Sequence, residues 1–316
     1  MFNSTTQKKI MQLTNNIFMI KPMHFAFNHE TSENNFYQKN ITISDKKLNR
    51  DVLIEFDGMV NQLLEKGVNV KVFEDKESIV TPDSIFPNNW ISTHKSGEIV
   101  LYPMYASNRR LEVRTDIIEK LIKDYNFSKV IDFRKENEGK KFLEGTGSMI
   151  LDRQNKILYA SVSERTNKEL VNQFSKEFGY SSVLFNSYQK INNTLSPIYH
   201  TNVMMSVCSE FCVICLDSID DLNQKKNVIL SLEKSGKKII DISQEQKNNF
   251  AGNMLQLQGK YKTLVMSSSA FDVLSSDQKK FLESMTDFAI CNVETIEKIG
   301  GGSTRCMIAE IFSYVE

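Results

Sequence analysis

The 316-residue sequence has no surplus of charge of either sign: Lys+Arg and Asp+Glu each total 39. Neither end carries the long run of like charge expected of an electrostatic tail, which argues against nucleic acid as a partner. An apolar run of about 18 residues, the least that reads as a membrane span, is missing as well. The amino terminus has two lysines but no continuous apolar stretch behind them, so it does not read as a signal peptide. These absences lead to the expectation of a soluble, cytoplasmic protein that touches no membrane. Cysteine is scarce too. Five residues at irregular spacings make no disulfide framework, and free thiols in a reducing compartment are the default. Only four histidines are available for proton transfer.

A hydrophobic content of 41% is enough to bury a sizeable core. Length alone suggests about two domains, but an internal repeat argues for one. Residues 1–16 are polar and read as a disordered tail, leaving residues 17–316 as a single catalytic domain. Residues 17–23 read as a strand and Asp45–Glu65 as an amphipathic helix. Five apolar, strand-like segments then each carry a polar residue near their start: Asn89, Glu144, His200, Asn253 and Cys306. They are separated by 55, 56, 53 and 53 residues. The first four are followed by a second strand-like run, a helical pattern and a short strand. A unit repeated at about 50 residues implies copies arranged around an axis. The marked residues would then converge on that axis as one pocket. Similar spacings also arise by chance in alternating α/β chains, so the chemistry has to decide.

Cys306 ends the stretch Gly300-Gly301-Gly302-Ser303-Thr304-Arg305-Cys306. Glycines there would let the backbone approach a ligand and leave amides free. A thiol attacks as its thiolate, which such a setting favours; the plainer alternative is a buried structural cysteine. Arg305 should point to the opposite face. His200 alone among the histidines occupies a repeated position, and an imidazole can move protons between thiol, leaving group and water. Glu144, beside Gly145, could hold substrate nitrogens or orient the imidazole. Cys208, Cys212 and Cys215 have iron–sulfur spacing, but a strand over 212–216 would turn Cys212 and Cys215 to opposite faces. The glycine-rich loop lacks the Lys-Ser/Thr ending of a phosphate-binding loop. No metal and no cofactor is expected.

With these residues in place, the chain resembles the guanidine-modifying, or amidinotransferase, superfamily, which includes arginine deiminases and dimethylarginine hydrolases. It looks most similar to the citrulline utilization hydrolases. The resemblance runs from about Phe18 to Phe312. It rests on FPNNW at 86–90, NRRLE at 108–112, EGTGS at 144–148, SERTN at 163–167, HTNVM at 200–204 and GGGSTRC at 300–306. It implies an α/β fold, a five-bladed pseudo-symmetric propeller known as the pentein fold. By the same resemblance Cys306 is the nucleophile, His200 the general acid/base and Glu144 the active-site carboxylate. Arg165 would grip a substrate α-carboxylate, with Arg109 or Arg110 as a second grip; a planar guanidinium suits that bidentate task.

The departures are informative. Asn89 and Asn202 stand where arginine-using relatives carry aspartates. A buried guanidinium needs anionic partners, whereas a neutral ureido group can be answered by amides. The expected reaction is therefore hydrolysis of L-citrulline to L-ornithine, ammonia and carbon dioxide, with Asp83 and Asn253 at the rim of the pocket. The alternatives are an arginine or methylarginine deiminating hydrolase, or a non-catalytic sensor on the same fold. The partner is then a small amino acid, and assembly into a homo-oligomer is left open.

Overall fold

The structure, a computed structural model, describes residues 11–135 and 140–313. It begins with β1 (Asn16–Lys21), α1 (Asp45–Glu65) and β2 (Asn69–Glu74). Helix α1 buries Leu48, Val52, Phe56, Met59 and Leu63, the three-and-four spacing of one helical stripe. A repeating unit follows: β3 (Ile91–Thr93), β4 (Glu98–Leu101), α2 (Thr115–Tyr125) and β5 (Lys129–Asp132). The next comprises α3 (Gly145–Ser148), β6 (Ile150–Asp152), β7 (Ile157–Ser161), α4 (Lys168–Phe178) and β8 (Ser181–Phe185). A hairpin, β9 (Tyr188–Ile191) and β10 (Thr194–Pro197), interrupts the series. Then come β11 (Met205–Val207), β12 (Phe211–Ile214), α5 (Leu222–Lys234) and β13 (Lys238–Asp241). The last stretch holds α6 (Gln244–Asn248), β14 (Leu255–Gln258), β15 (Lys262–Ser267), α7 (Ser268–Val273), α8 (Ser276–Glu283), β16 (Asp287–Cys291), α9 (Glu294–Gly300) and β17 (Ala309–Glu310).

Four of the sheets, β3-β4-β5, β6-β7-β8, β11-β12-β13 and β14-β15-β16, share one topology. The first strand pairs antiparallel with the second, and a helical crossover returns the third parallel to the second. The fifth sheet repeats it from both ends of the chain. Strand β17 lies antiparallel to β1, and β1 is parallel to β2 across α1. The unit begun at Cys306 is thus completed by amino-terminal strands.

Two expectations need correction. The marked polar residues do not open strands. Asn89 ends a one-turn 3-10 segment, Glu144 and His200 cap helical turns, and Asn253 and Cys306 lie beside or within turns; the strands start afterwards. Apolar runs this short do not distinguish a turn from a strand. Nor is the whole of 1–16 a tail. Residues 1–10 lie outside the described residues, but Gln12, Leu13 and Thr14 are buried. Gln12 Nε2 donates to Leu151 O at 2.9 Å, its Oε1 accepts from Arg153 N at 2.7 Å, and Thr14 Oγ1 donates to Ile311 O at 2.7 Å. Polar side chains here satisfy backbone groups of three other segments, which a composition-based reading cannot see.

Cys208, Cys212 and Cys215 pack in an apolar core with Phe211, Val213 and Ile214. Burial pushes the Cys208 and Cys212 thiols well up. Among the described residues, no group of three or more His, Cys, Asp or Glu side chains is arranged to hold a metal. No described helix is long and apolar enough to cross a membrane.

Candidate active site

Glu144 occupies the cap of α3, and the glycines that follow it have steric reasons. Gly145 adopts φ +47°, and a Cβ there would collide with Asn88 O. A Cβ on Gly147 would collide with Asn89 Nδ2 and stand 2.9 Å from the His200 ring. The segment is therefore free to bring Asn89, Glu144 and His200 together. The backbone N–H of Glu144 anchors it, donating to Ser148 Oγ at 3.0 Å and Arg165 O at 3.2 Å.

His200 Nε2 lies 2.7 Å from Glu144 Oε2. Because a carboxylate only accepts, the proton is assigned to Nε2, leaving Nδ1 as the free base beside Gly147. Burial pushes the imidazole down to about 4 although Glu144 pulls it up. Burial also raises Glu144, but Arg165, His200 and Arg109 together hold it down at about 2. The pair is a neutral imidazole on an ionised carboxylate. Glu144 Oε1 accepts from Tyr105 N at 2.8 Å.

The turn that starts at His200 also carries Asn202, which reaches the cysteine. Asn202 Nδ2 and Asn253 Nδ2 each donate to Cys306 Sγ at 3.3 Å. Asn253 is further fixed by donating to Asn202 O at 3.0 Å and accepting from Arg305 N at 3.1 Å. It sits at the sulfur, not at a rim. Arg305 points away, to Glu310 and Ile308 O. The three glycines at 300–302 serve packing rather than a ligand. Side chains there would strike Phe25, Phe86, Asn35 or Gln38.

Asn89 Oδ1 accepts from Arg109 Nη1 at 2.8 Å, while Asn89 Nδ2 is buried without a partner. Asn202 shows the reverse: its amide N–H is used and its Oδ1 has no partner. Arg109 is buried and saturated, with a bidentate pair to Glu112 at 2.8 and 2.9 Å and Asp83 at 3.8 Å. It therefore orients Asn89 and has little left for a substrate carboxylate. Glu112 was legible as an i, i+3 partner on the same turn but had no assigned role. Arg110 is not brought to the site. Consecutive residues of a 3-10 turn point about 120° apart, and Arg110 faces the carbonyls of Met104 and Tyr105 over the Phe142 ring. Asp83 is buried rather than on a rim: Oδ2 accepts from Asn28 at 2.8 Å and Thr31 at 3.2 Å, while Oδ1 has no partner. Burial raises its carboxyl.

Arg165 lies 3.6 Å from Glu144, stacks over Tyr199 at 4.8 Å, and donates to Thr31 O at 2.9 Å and to Asn34 Oδ1. Thr31 and Asn34 belong to a segment, residues 28–38, that no sequence pattern singles out. It is loop without periodicity, yet it covers the site and also bonds Gly300 O and Gly301 O through Asn35. Under it Cys306 is 5%, His200 3% and Glu144 0% exposed.

The sequence matches the family model described as N,N dimethylarginine dimethylhydrolase, eukaryotic, over residues 21–313. The chain belongs to that family. The family model's description is that of a hydrolase of N,N-dimethylarginine. A search of curated proteins finds no match. Among solved structures, ArgZ, an arginine dihydrolase from the ornithine-ammonia cycle in Cyanobacteria, superposes with TM-score 0.71 at 16% identity. That match covers 95% of this chain and 41% of ArgZ, so the chain spans about two fifths of the full-length relative. The N-terminal domain of ArgZ, as a cysteine-to-serine mutant bound to substrate, gives TM-score 0.70 at 15% identity, covering 95% and 98% of the two chains. A dimethylarginine dimethylaminohydrolase, a histidine-to-glycine mutant in its adduct with S-methyl-L-thiocitrulline, gives 0.62 at 16%, covering 95% and 100%. At these identities the likeness is one of fold.

Proposed function

We propose that this dimethylarginine-hydrolase relative hydrolyses the ureido group of L-citrulline through Cys306, giving L-ornithine, ammonia and carbon dioxide. The observation that carries the substrate is the orientation of Asn89. Arginine can only donate, so Arg109 takes the Asn89 oxygen and leaves the amide N–H buried without a partner, beside Gly147 and the His200 ring. A guanidinium presents only donors and would clash with it electrostatically. A ureido carbonyl accepts it. The unpartnered Asn202 Oδ1 and the Glu144 carboxylate offer acceptors for the ureido N–H groups.

In this mechanism Cys306 yields its proton to His200, and its sulfur bonds to the ureido carbon as the carbonyl electrons move to oxygen. Collapse breaks the bond to the ornithine nitrogen, which takes the proton from His200. The carbamoyl thioester left on Cys306 is attacked by water deprotonated by His200, and the carbamate released decomposes to ammonia and carbon dioxide. Asn202 and Asn253 solvate negative charge on sulfur. Arg165 meets the α-carboxylate once Thr31 and Asn34 give way. The five alike sheets, closed by β17 on β1, support a five-bladed α/β propeller forming one domain. Free cysteines fit the cytoplasm.

A second reading, hydrolysis of arginine or a methylarginine, is favoured by one observation besides the family: the buried Asp83 oxygen without a partner. Ammonia release from citrulline, arginine, agmatine and methylarginines decides. Citrulline should give the highest kcat/KM, and a clear preference for arginine would overturn the substrate assignment. Cys306→Ala should abolish turnover; full activity in that variant would sink the mechanism, and no turnover of any substrate by the parent would leave the sensor reading.

A further inference from the structure

Lys247, on α6, is fully buried, and no carboxylate of the described residues lies within ion-pairing distance of it. Its Nζ donates instead to Tyr37 OH at 2.8 Å, Gln189 Oε1 at 2.8 Å and Asn248 Oδ1 at 2.7 Å. An ammonium has donors only, so it fixes the orientation of all three neighbours: their oxygens turn inward. What Lys247 leaves for another partner is the Tyr37 O–H, the Gln189 amide N–H groups and the Asn248 amide N–H groups. The Gln189 Nε2 is buried with no partner, an anomaly that a native structure explains by a ligand or water. All three residues line one cleft of about 420 Å³, together with Lys39, Lys298, Glu294 and Glu297. Lys298 pairs with Glu294, and Glu297 accepts from Ser303 Oγ at 2.6 Å, which leaves Lys39 as the cation of the lining that pairs with no carboxylate among the described residues. Burial pushes the Lys247 ammonium down to about 8.

We propose that this cleft is a second ligand site that takes a small carboxylate, held by the remaining N–H and O–H groups of Tyr37, Gln189 and Asn248. Lys247 behind them supplies the positive charge without touching the ligand. The site is separate from the catalytic cysteine but joined to it. Asn253 N donates to Phe250 O, Phe250 N donates to Lys247 O, and Asn253 contacts Cys306 Sγ. Tyr37 packs on Phe250 at 5.0 Å and on Tyr199 at 6.5 Å, and it belongs to the segment that carries Thr31 and Asn34 onto Arg165. A carboxylate in the cleft therefore holds the covering segment against the turn that positions Asn253, which makes it an effector of the site.

The test is calorimetric titration of the full chain with succinate and, separately, with its uncharged diamide. Succinate should bind and the diamide should not. Gln189→Glu gives Lys247 a carboxylate of its own and turns an acceptor toward the cleft, so it should fold, keep its thermal midpoint and lose succinate binding at least tenfold. Arg165→Lys separates this site from the substrate pocket: succinate should still bind, its affinity altered at most several-fold through the covering segment that Arg165 holds. Equal binding of the diamide, unchanged affinity in Gln189→Glu, loss of binding in Arg165→Lys, or no succinate binding by the parent would each overturn the proposal.

Discussion

At the scale of single residues, the orientation of two asparagine amides carries the substrate argument. Replacing Asn89 by aspartate removes the N–H assigned to the ureido carbonyl, and the new charge would pair with Arg109, already 2.8 Å away. Asn202→Asp keeps an acceptor toward substrate but takes a donor from Cys306 Sγ. Loss of a matched buried hydrogen bond costs roughly 1–3 kcal/mol, about a 5- to 150-fold change. The double variant should lose that much citrulline kcat/KM per site and gain measurable affinity for arginine. Unchanged citrulline kinetics with no arginine binding would show that these amides do not read substrate charge. His200 supplies a second residue-level prediction. Burial keeps it neutral down to about pH 4, so its basic form persists well below the usual imidazole range. The acid limb of kcat/KM, which reports the free enzyme, should fall near pH 4; a limb near 6.5 would mean that His200 is solvated in the resting enzyme.

At the scale of elements, the sequence marked side chains that cluster more clearly than it marked the local backbone that carries them. The second strands, α1 and the helical crossovers were legible because each has a clear period. The hairpin β9–β10, the turns before β3, β6 and β11, and the amino-terminal completion of the fifth sheet were not. Short apolar runs are ambiguous, and the pairing of Ile17 with Glu310, at opposite ends of the chain, leaves no local trace. Glu144, His200, Asn253 and Cys306 were marked by their spacing, and the structure sets Glu144 on His200 and Asn253 on Cys306. Segment 28–38 escaped because its role lies in contacts with Arg165, Asp83 and Gly301, not in any pattern of its own. Gly147 tests the close approach of these turns. Gly147→Ala would push Asn89 and the His200 ring apart, so turnover should fall at least tenfold, with secondary structure retained by circular dichroism. Gly179→Ala is the control: its φ of +66° ends α4, but nothing stands within 4 Å. It should cost about 1 kcal/mol of stability and no activity. Equal activity in both variants would remove Gly147 from the site argument.

At the scale of the whole molecule, the zero formal charge hides an imbalance in proton binding between folded and unfolded states. His94 is buried between Ser92 and the Phe178 ring, 2.8 Å from one and stacked at 4.3 Å on the other. Burial, with Arg153 and Lys156 adding to it, holds its imidazole well below the ordinary value of 6.5. The unfolded chain binds this proton as pH drops through about 6.5, whereas the folded chain refuses it until much lower. Stability supplied by neutral His94 is therefore complete above that range and is lost as pH falls below it, at up to about 1.4 kcal/mol per pH unit. His94→Gln cannot protonate. It should be less stable than the parent at pH 7, because a ring stack is gone, but the gap should narrow by about 1–2 kcal/mol on going to pH 5. Urea melts of both proteins at the two pH values measure that difference directly, and because carboxylates and His200 are common to both chains their contributions cancel. A gap that stays constant between pH 7 and pH 5 would mean that His94 takes up its proton in the folded state as readily as in the unfolded one.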